Sequence, residues 1–93
     1  MSASSDQPSA EGRATLPVGV DLHARPAADF VRAAMGFPGR LWVGVGDREV
    51  DAKSLLSILA LGAKSGTELR LRAEGEGAGA AIDALVDCVV NLR

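Results

Sequence analysis

Two residue types that occur once each in this sequence have nucleophilic side chains: His23 and Cys88. Histidine is partly neutral near physiological pH, so a ring nitrogen can act as a nucleophile. Arg25 follows two residues after His23 and offers a planar set of N–H donors suited to phosphate oxygens. The pair predicts a site at which the imidazole takes up an anionic phosphoryl group.

The cysteine and the metal-binding residue types give a weaker signal. Cys88 lies near the apolar stripe of the last predicted helix, without a second histidine or acid pair to activate it, and we interpret it as a small buried hydrophobic residue. One histidine and one cysteine cannot supply a zinc site, so neither a metal nor a cofactor is expected. The segment Gly75–Ala80 matches a relaxed dinucleotide-binding pattern without the later strand and acidic residue, and is interpreted as a flexible turn.

The helix that must position His23 is the clearest element of the sequence. Five apolar residues recur at the spacing of one helical face: Ala27, Phe30, Val31, Ala34 and Met35. Pro26 suits the first turn, where its missing N–H has no partner, and Gly36 predicts the end of the helix. His23 is therefore expected at the helix N-terminus, where unpaired N–H groups and the helix dipole attract anions.

The remaining elements are predicted from alternation, helical periodicity and turn residues. Strands are expected at residues 14–18, 40–45, 48–50 and 67–73, and helices at residues 54–61 and 78–92. The order β-α-β-β-α-β-α predicts an α+β domain, a four-stranded antiparallel sheet with three helices on one face. The other face would carry Trp42, Arg70 and Arg72 and stay partly wet. Residues 1–13 are predicted to be a disordered N-terminal tail, which leaves a domain at 14–93.

The length and net charge of the chain argue against several classes of function. The chain has 93 residues, a formal net charge of -2 and no run of Lys or Arg, which argues against nucleic acid and anionic membranes as partners. No apolar stretch approaches the length of a membrane span, and the first residues lack the features of a signal peptide. A lone cysteine cannot form an internal disulfide. We expect a cytoplasmic monomer without membrane insertion.

Two sequence blocks resemble one known family. Leu22–Ala27 (LHARPA) resembles the L/I-H-A-R-P-A motif of the HPr family, the histidine-containing phosphocarriers of the bacterial phosphotransferase system. Ala52–Leu56 (AKSLL), followed by Leu61-Gly62 and Gly66, resembles the family's second block, and Ser54 lies 31 residues after His23, as the family's spacing requires. The resemblance covers residues 14–92 and implies an HPr-like open-faced β-sandwich.

The resemblance also implies roles for particular residues. His23 would accept a phosphoryl group on Nδ1 from phosphorylated enzyme I, originally from phosphoenolpyruvate, and pass it to enzyme II A-type domains for sugar uptake. Arg25 would assist, so the protein would be an intermediate in phosphoryl transfer and not a self-contained enzyme. Ser54 matches a serine that a dedicated kinase phosphorylates in some bacteria. A partner-binding role falls on the positions matching Leu55, Leu56 and Leu59.

Several alternatives stay open at this point. Ser54 suits the N-cap of the short helix, with or without regulation, and that helix is either sunk in the core or exposed as a partner site. The protein is either a carrier or a regulatory binding module, in which phosphorylation at Ser54 or His23 changes the affinity for a transcriptional regulator or an enzyme. A kinase or phosphorylase would act on Ser54. Nitrogen-type or dihydroxyacetone-kinase-linked carriers, and an unrelated α+β interaction domain, are further alternatives.

One departure from the family pattern lies directly before His23. The family usually has Gly at the position of Asp21, with a small polar residue before it, whereas this chain has Val20-Asp21. Val20 cannot hydrogen-bond the imidazole. The Asp21 carboxylate is expected near the incoming phosphate, where its charge would favour the charged imidazole and repel the phosphoryl group.

Overall fold

Four strands and three helices make up the computed structural model, which describes residues 8–93. The strands are β1 (Ser9–Thr15), β2 (Arg40–Val45), β3 (Arg48–Asp51) and β4 (Glu68–Glu74). The helices are α1 (Ala24–Met35), α2 (Leu55–Leu61) and α3 (Ala78–Val90). The order confirms the predicted β-α-β-β-α-β-α. No helix within the described residues has the length and apolar character needed to cross a bilayer.

The strands form one antiparallel sheet in the order β1-β4-β2-β3. Side chains alternate between buried and more exposed along β4, where Leu69, Leu71 and Ala73 are buried. These residues join a core to which α1 contributes Phe30 and α3 contributes Leu85. The arrangement confirms the α+β open-faced sandwich, because one face of the sheet packs on the helices and the other stays open.

The first strand is where the sequence-based prediction was wrong. It spans Ser9–Thr15 and pairs with β4 along its whole length, whereas a strand was predicted at residues 14–18 and disorder at residues 1–13. Residues 9–13 are thus ordered, and residues 1–7 lie outside the described part. The strand escaped detection because its helix-facing residues are small: Gly12 lies so close to Ile82 of α3 that an added Cβ would be 2.6 Å from the Ile82 Cγ2 atom.

The helix after His23 follows its predicted stripe except at the end. Ala27, Phe30, Val31 and Ala34 are buried as expected, but Met35 is 65% exposed. Met35 is the last residue of α1, and the chain turns at Gly36 so that Phe37 takes the next buried position. A helical stripe predicts burial only while the helix continues over the core.

The open face of the sheet is covered by a network of charges around one aromatic ring. Arg72 lies over Trp42 at 3.8 Å from the ring centroid and donates two hydrogen bonds to Glu49, at 2.8 and 3.2 Å. The hydrogen bond from Arg72 lowers the pKa of Glu49 below its ordinary value. These half-exposed side chains shield the open face, in line with the prediction that it is partly wet.

The close contact between Gly39, directly before β2, and Glu74, the last residue of β4, gives a test of the fold. An added Cβ at Gly39 would overlap the Glu74 carbonyl oxygen and the Phe37 ring. We expect Gly39→Ala to lower the free energy of unfolding by about 1–3 kcal/mol in denaturant titrations. As a matched control, Gly79 is the second residue of α3 and has open space around it, so Gly79→Ala should raise the stability by at most about 1 kcal/mol. Equal effects of the two variants would contradict this packing.

Candidate functional site

His23 is the N-cap residue of α1, with an extended backbone (φ -147°, ψ 166°). Its carbonyl accepts the first helical hydrogen bond, from Ala27 N at 3.3 Å. The imidazole makes no capping hydrogen bond and is exposed, unlike the side chains of the usual N-cap residues, which satisfy the helix's free N–H groups. The structure therefore places His23 at the helix start, as predicted, with its ring directed to no capping partner.

The backbone at this helix start is left open. Neither the Ala24 nor the Arg25 N–H makes a backbone hydrogen bond among the described residues, and Pro26 has no N–H to offer. α1 is 12 residues long, so the positive end of its dipole adds to these donors. Together they form a small group of N–H donors beside an exposed imidazole, an arrangement that suits an anion.

Ala24, between His23 and Arg25, has an unusual backbone. Its φ of 48° is the one positive value among the non-glycine residues that the structure describes. The left-handed conformation costs an alanine roughly 1–2 kcal/mol, because Cβ approaches the carbonyl oxygen. Strain of this kind is often found at functional sites. Sequence reasoning missed it, since alanine gives no signal for a left-handed conformation.

Arg25 lies in the first turn of α1, exposed, at the edge of an open depression. Asp29 and the C-terminal residues Cys88, Asn91 and Arg93 line the same depression. Arg25 forms no ion pair within residues 8–93. Its guanidinium thus keeps its donors available in the first turn of α1, where the sequence predicts Arg25.

The loop before His23 is joined to the loop before β4. Leu22 is fully buried and donates its N–H to the Ala63 carbonyl at 2.8 Å. The Asp21 carboxylate accepts a hydrogen bond from Ser65 N at 2.8 Å. Sequence reasoning named Asp21 but missed Ser65, because the two are 44 residues apart and no periodic pattern links them.

Comparison with known proteins identifies the family. Residues 10–91 match the family model "PTS HPr component phosphorylation site". The chain is 44% identical over 71 residues to the phosphocarrier protein HPr of Pseudomonas putida, covering 75% of this chain and 79% of that protein. It is 41% identical over 83 residues to the HPr of Streptomyces coelicolor, covering 88% and 89%.

The solved structures agree. The HPr structure from Thermoanaerobacter tengcongensis matches with a TM-score of 0.82 and 40% identity, over 86% of this chain and 90% of that one. This chain belongs to the HPr family. The resemblance drawn from the two sequence blocks is confirmed, and with it a phosphocarrier of the phosphotransferase system.

The second HPr block forms α2 and the residues around it. The Ser54 hydroxyl accepts a hydrogen bond from Ser57 N at 3.2 Å, as expected of an N-cap residue. Ile58 and Leu61 face the core, while Leu56 is 80% exposed and Leu55 43% exposed. Leu59 is half-buried against the core. The helix is thus packed on one side only, and the alternative of a fully sunken helix is wrong for Leu55 and Leu56.

The other sequence candidates lie apart from His23 or contribute little to its chemistry. The segment at Gly75 and Gly77 is a tight turn before α3 in which both glycines have positive φ. Cys88 is half-buried, and burial, together with the nearby Asp29 and Asp87, raises the pKa of its thiol. A raised pKa makes the reactive thiolate scarcer. Among the described residues, no three His, Cys, Asp or Glu side chains form a metal-binding group.

The strain at Ala24 gives a prediction about stability. Glycine adopts positive φ without the Cβ contact, so Ala24→Gly should raise the free energy of unfolding by up to about 1 kcal/mol. Ala33, an exposed residue later in α1, is the control: Ala33→Gly should lower it by roughly 0.5–1 kcal/mol. Chemical denaturation of both variants measures the difference. A loss of stability in Ala24→Gly as large as in Ala33→Gly would contradict the strain.

Proposed function

We propose that His23 accepts a phosphoryl group from phosphorylated enzyme I, originally from phosphoenolpyruvate, and passes it to enzyme II A-type domains. The observation that carries this proposal is an exposed imidazole at the start of α1 that makes no capping hydrogen bond. A ring nitrogen that is free of helix capping is available to attack phosphorus. Both exchanges would take place in the cytoplasm.

The transfer step follows from the groups around the imidazole. The Nδ1 lone pair of His23 attacks phosphorus as the bond to the donor breaks. A nucleophile of the acceptor then attacks phosphorus as the P–Nδ1 bond breaks, which returns the lone pair to the imidazole. The N–H groups of Ala24 and Arg25, which make no backbone hydrogen bond among the described residues, and the Arg25 guanidinium would bind the phosphoryl oxygens. The helix dipole contributes only about 0.3–1 kcal/mol at an exposed site, so it favours binding without preventing release.

The partner surface is proposed to include Leu55, Leu56 and Leu59 of α2. Leu55 and Leu56 are exposed, and single-sided packing of a short apolar helix leaves a patch that commonly marks a partner site. Because the site is an open surface and not a closed pocket, transfer requires a docked partner to supply the rest of the environment. Enzyme I and the enzyme II A-type domain would use the same patch in turn.

A second role, regulation at Ser54, is favoured by the position of that residue. Ser54 caps α2 directly before Leu55 and Leu56, so a phosphate there would place about two negative charges beside the patch. A kinase or phosphorylase acting on Ser54 would then control docking of the transfer partners or of a transcriptional regulator. Carriers of the nitrogen type, or linked to a dihydroxyacetone kinase, would share His23 and differ in the acceptor.

The carrier role is tested by mass spectrometry after incubation with phosphoenolpyruvate and catalytic enzyme I. We expect one added phosphoryl group that is lost in acid and absent in His23→Ala. Arg25→Ala should still fold but charge more slowly, because the phosphoryl oxygens lose a charged donor. Chasing the charged protein with enzyme II A-type domains or a dihydroxyacetone kinase subunit identifies the acceptor. Charging of His23→Ala, or no charging of the unaltered protein, would refute the proposal.

Docking at α2 is tested by changing the charge at Ser54 while keeping the cap. Aspartate and asparagine both cap helices, so Ser54→Asp and Ser54→Asn should fold alike. We expect Ser54→Asp to raise the KM of enzyme I for this protein, because its charge lies beside an apolar patch. Ser54→Asn should behave like the unaltered chain. Equal charging kinetics in the two variants would remove Ser54 from the docking surface.

A further inference from the structure

A ladder of hydrogen bonds joins the loop before His23 to the loop before β4. At one end, Leu16 N donates to the Thr67 carbonyl at 2.9 Å and Gly66 N donates to the Leu16 carbonyl at 3.2 Å. At the other end, Leu22 N donates to the Ala63 carbonyl at 2.8 Å. These backbone pairs leave residues 17–21 between them without a backbone partner in the opposite loop.

Two side chains fill this gap. The Asp21 carboxylate accepts from Ser65 N at 2.8 Å, and the Ser65 hydroxyl accepts from Gly19 N at 2.7 Å. The same hydroxyl contacts the Pro17 carbonyl at 3.5 Å. Ser65 therefore forms hydrogen bonds to this loop through both its backbone N–H and its hydroxyl. Of the hydrogen bonds that fill the gap, the one to Asp21 joins the two loops nearest to His23.

Asp21 also forms a backbone hydrogen bond with His23. The His23 N–H donates to the Asp21 carbonyl at 2.9 Å, so a single residue links the Ser65 anchor to the peptide that carries the imidazole. One carboxylate oxygen, Oδ1, accepts from Ser65 N, and no hydrogen bond from the imidazole to the Asp21 side chain is found in the described part of the chain. The hydrogen bond gives the carboxylate a structural role in the loop. Its effect on an incoming phosphate stays a prediction.

We propose that Asp21 is a positioning residue for transfer through His23, with Ser65 as its anchor. The proposal rests on the proposed function of His23 as phosphoryl acceptor. Its basis is the acceptor oxygen of Asp21, which holds the loop, and not its negative charge. The alternative is that the negative charge of Asp21 repels the phosphoryl group. Removing the charge would then speed up transfer, whether or not an acceptor oxygen for Ser65 N is kept.

Two substitutions separate position from charge. Asp21→Asn keeps an acceptor oxygen for Ser65 N and removes the charge, whereas Asp21→Ala removes both. Misplacement of a reacting group by about 1 Å can cost roughly a hundredfold in rate. We expect Asp21→Ala to reduce the kcat of charging by enzyme I about ten- to a hundredfold with little change in KM, since α2 is untouched. Asp21→Asn should keep the rate within about threefold of the unaltered chain.

A second measurement tests the hydrogen bond between Ser65 N–H and Asp21 without using phosphoryl transfer. Amide hydrogen exchange, followed by NMR, should show Ser65 N–H protected in the unaltered chain and in Asp21→Asn, and faster by about tenfold or more in Asp21→Ala. Thermal unfolding of all three proteins serves as the control for global folding. Ser65→Ala, which keeps the Ser65 N–H but removes the acceptor for Gly19 N, should preserve the protection of Ser65 N–H.

The outcomes distinguish the two proposals. If the unaltered chain is charged on His23 but both Asp21 variants match it, or both are faster, the positioning role is wrong and the carrier role stands. The positioning role is also wrong if Ser65 N–H is unprotected in the unaltered chain. If the unaltered chain is not charged at all, the carrier role fails and the positioning role fails with it. If transfer is slow in Asp21→Ala and close to the unaltered rate in Asp21→Asn, both the carrier role and the positioning role are supported.

Discussion

The start of α1 has to be held in place while its own hydrogen-bond donors stay free. In most helices these two needs conflict, because the side chain that fixes the N-terminus also occupies its N–H groups. Here His23, Ala24 and Arg25 are exposed, whereas Leu22 before them and Ala27 after them are completely buried. The helix start is therefore fixed by packing on either side, and not by a cap on the site itself.

This arrangement explains why strain is tolerated at Ala24. The cost of its positive φ is of the order of one or two kcal/mol, which is comparable with burying a single large apolar side chain. Leu22 and Phe30 are both fully buried, so the surrounding core can hold a conformation that the alanine alone would leave. The result is an open group of donors at the surface, consistent with an HPr phosphocarrier.

The parts of the molecule that the sequence predicted are those that follow a local period. The three helices bury residues at helical spacing. The first HPr block lies at the start of α1, and the second supplies Ser54, the N-cap residue of α2. β1 escaped prediction because its helix-facing residues, Ala10, Gly12 and Ala14, are too small to show alternation, although close contact with Ile82 requires that smallness at Gly12. Ser65 escaped for a different reason: its partners Gly19 and Asp21 lie in a distant loop, and only the folded chain brings them together.

The free N–H groups at the start of a helix are treated differently in α1 and α2. Ser54 uses its hydroxyl to accept from Ser57 N, so the start of α2 is closed, while the start of α1 is open. A phosphate on Ser54 would remain at a helix N-terminus, where the dipole favours negative charge. Because such a group is compatible with the helix, its effect would fall on the exposed Leu55 and Leu56, where partner docking is proposed. Modification at Ser54 would thus change recognition while leaving the fold, and the chemistry of His23, in place.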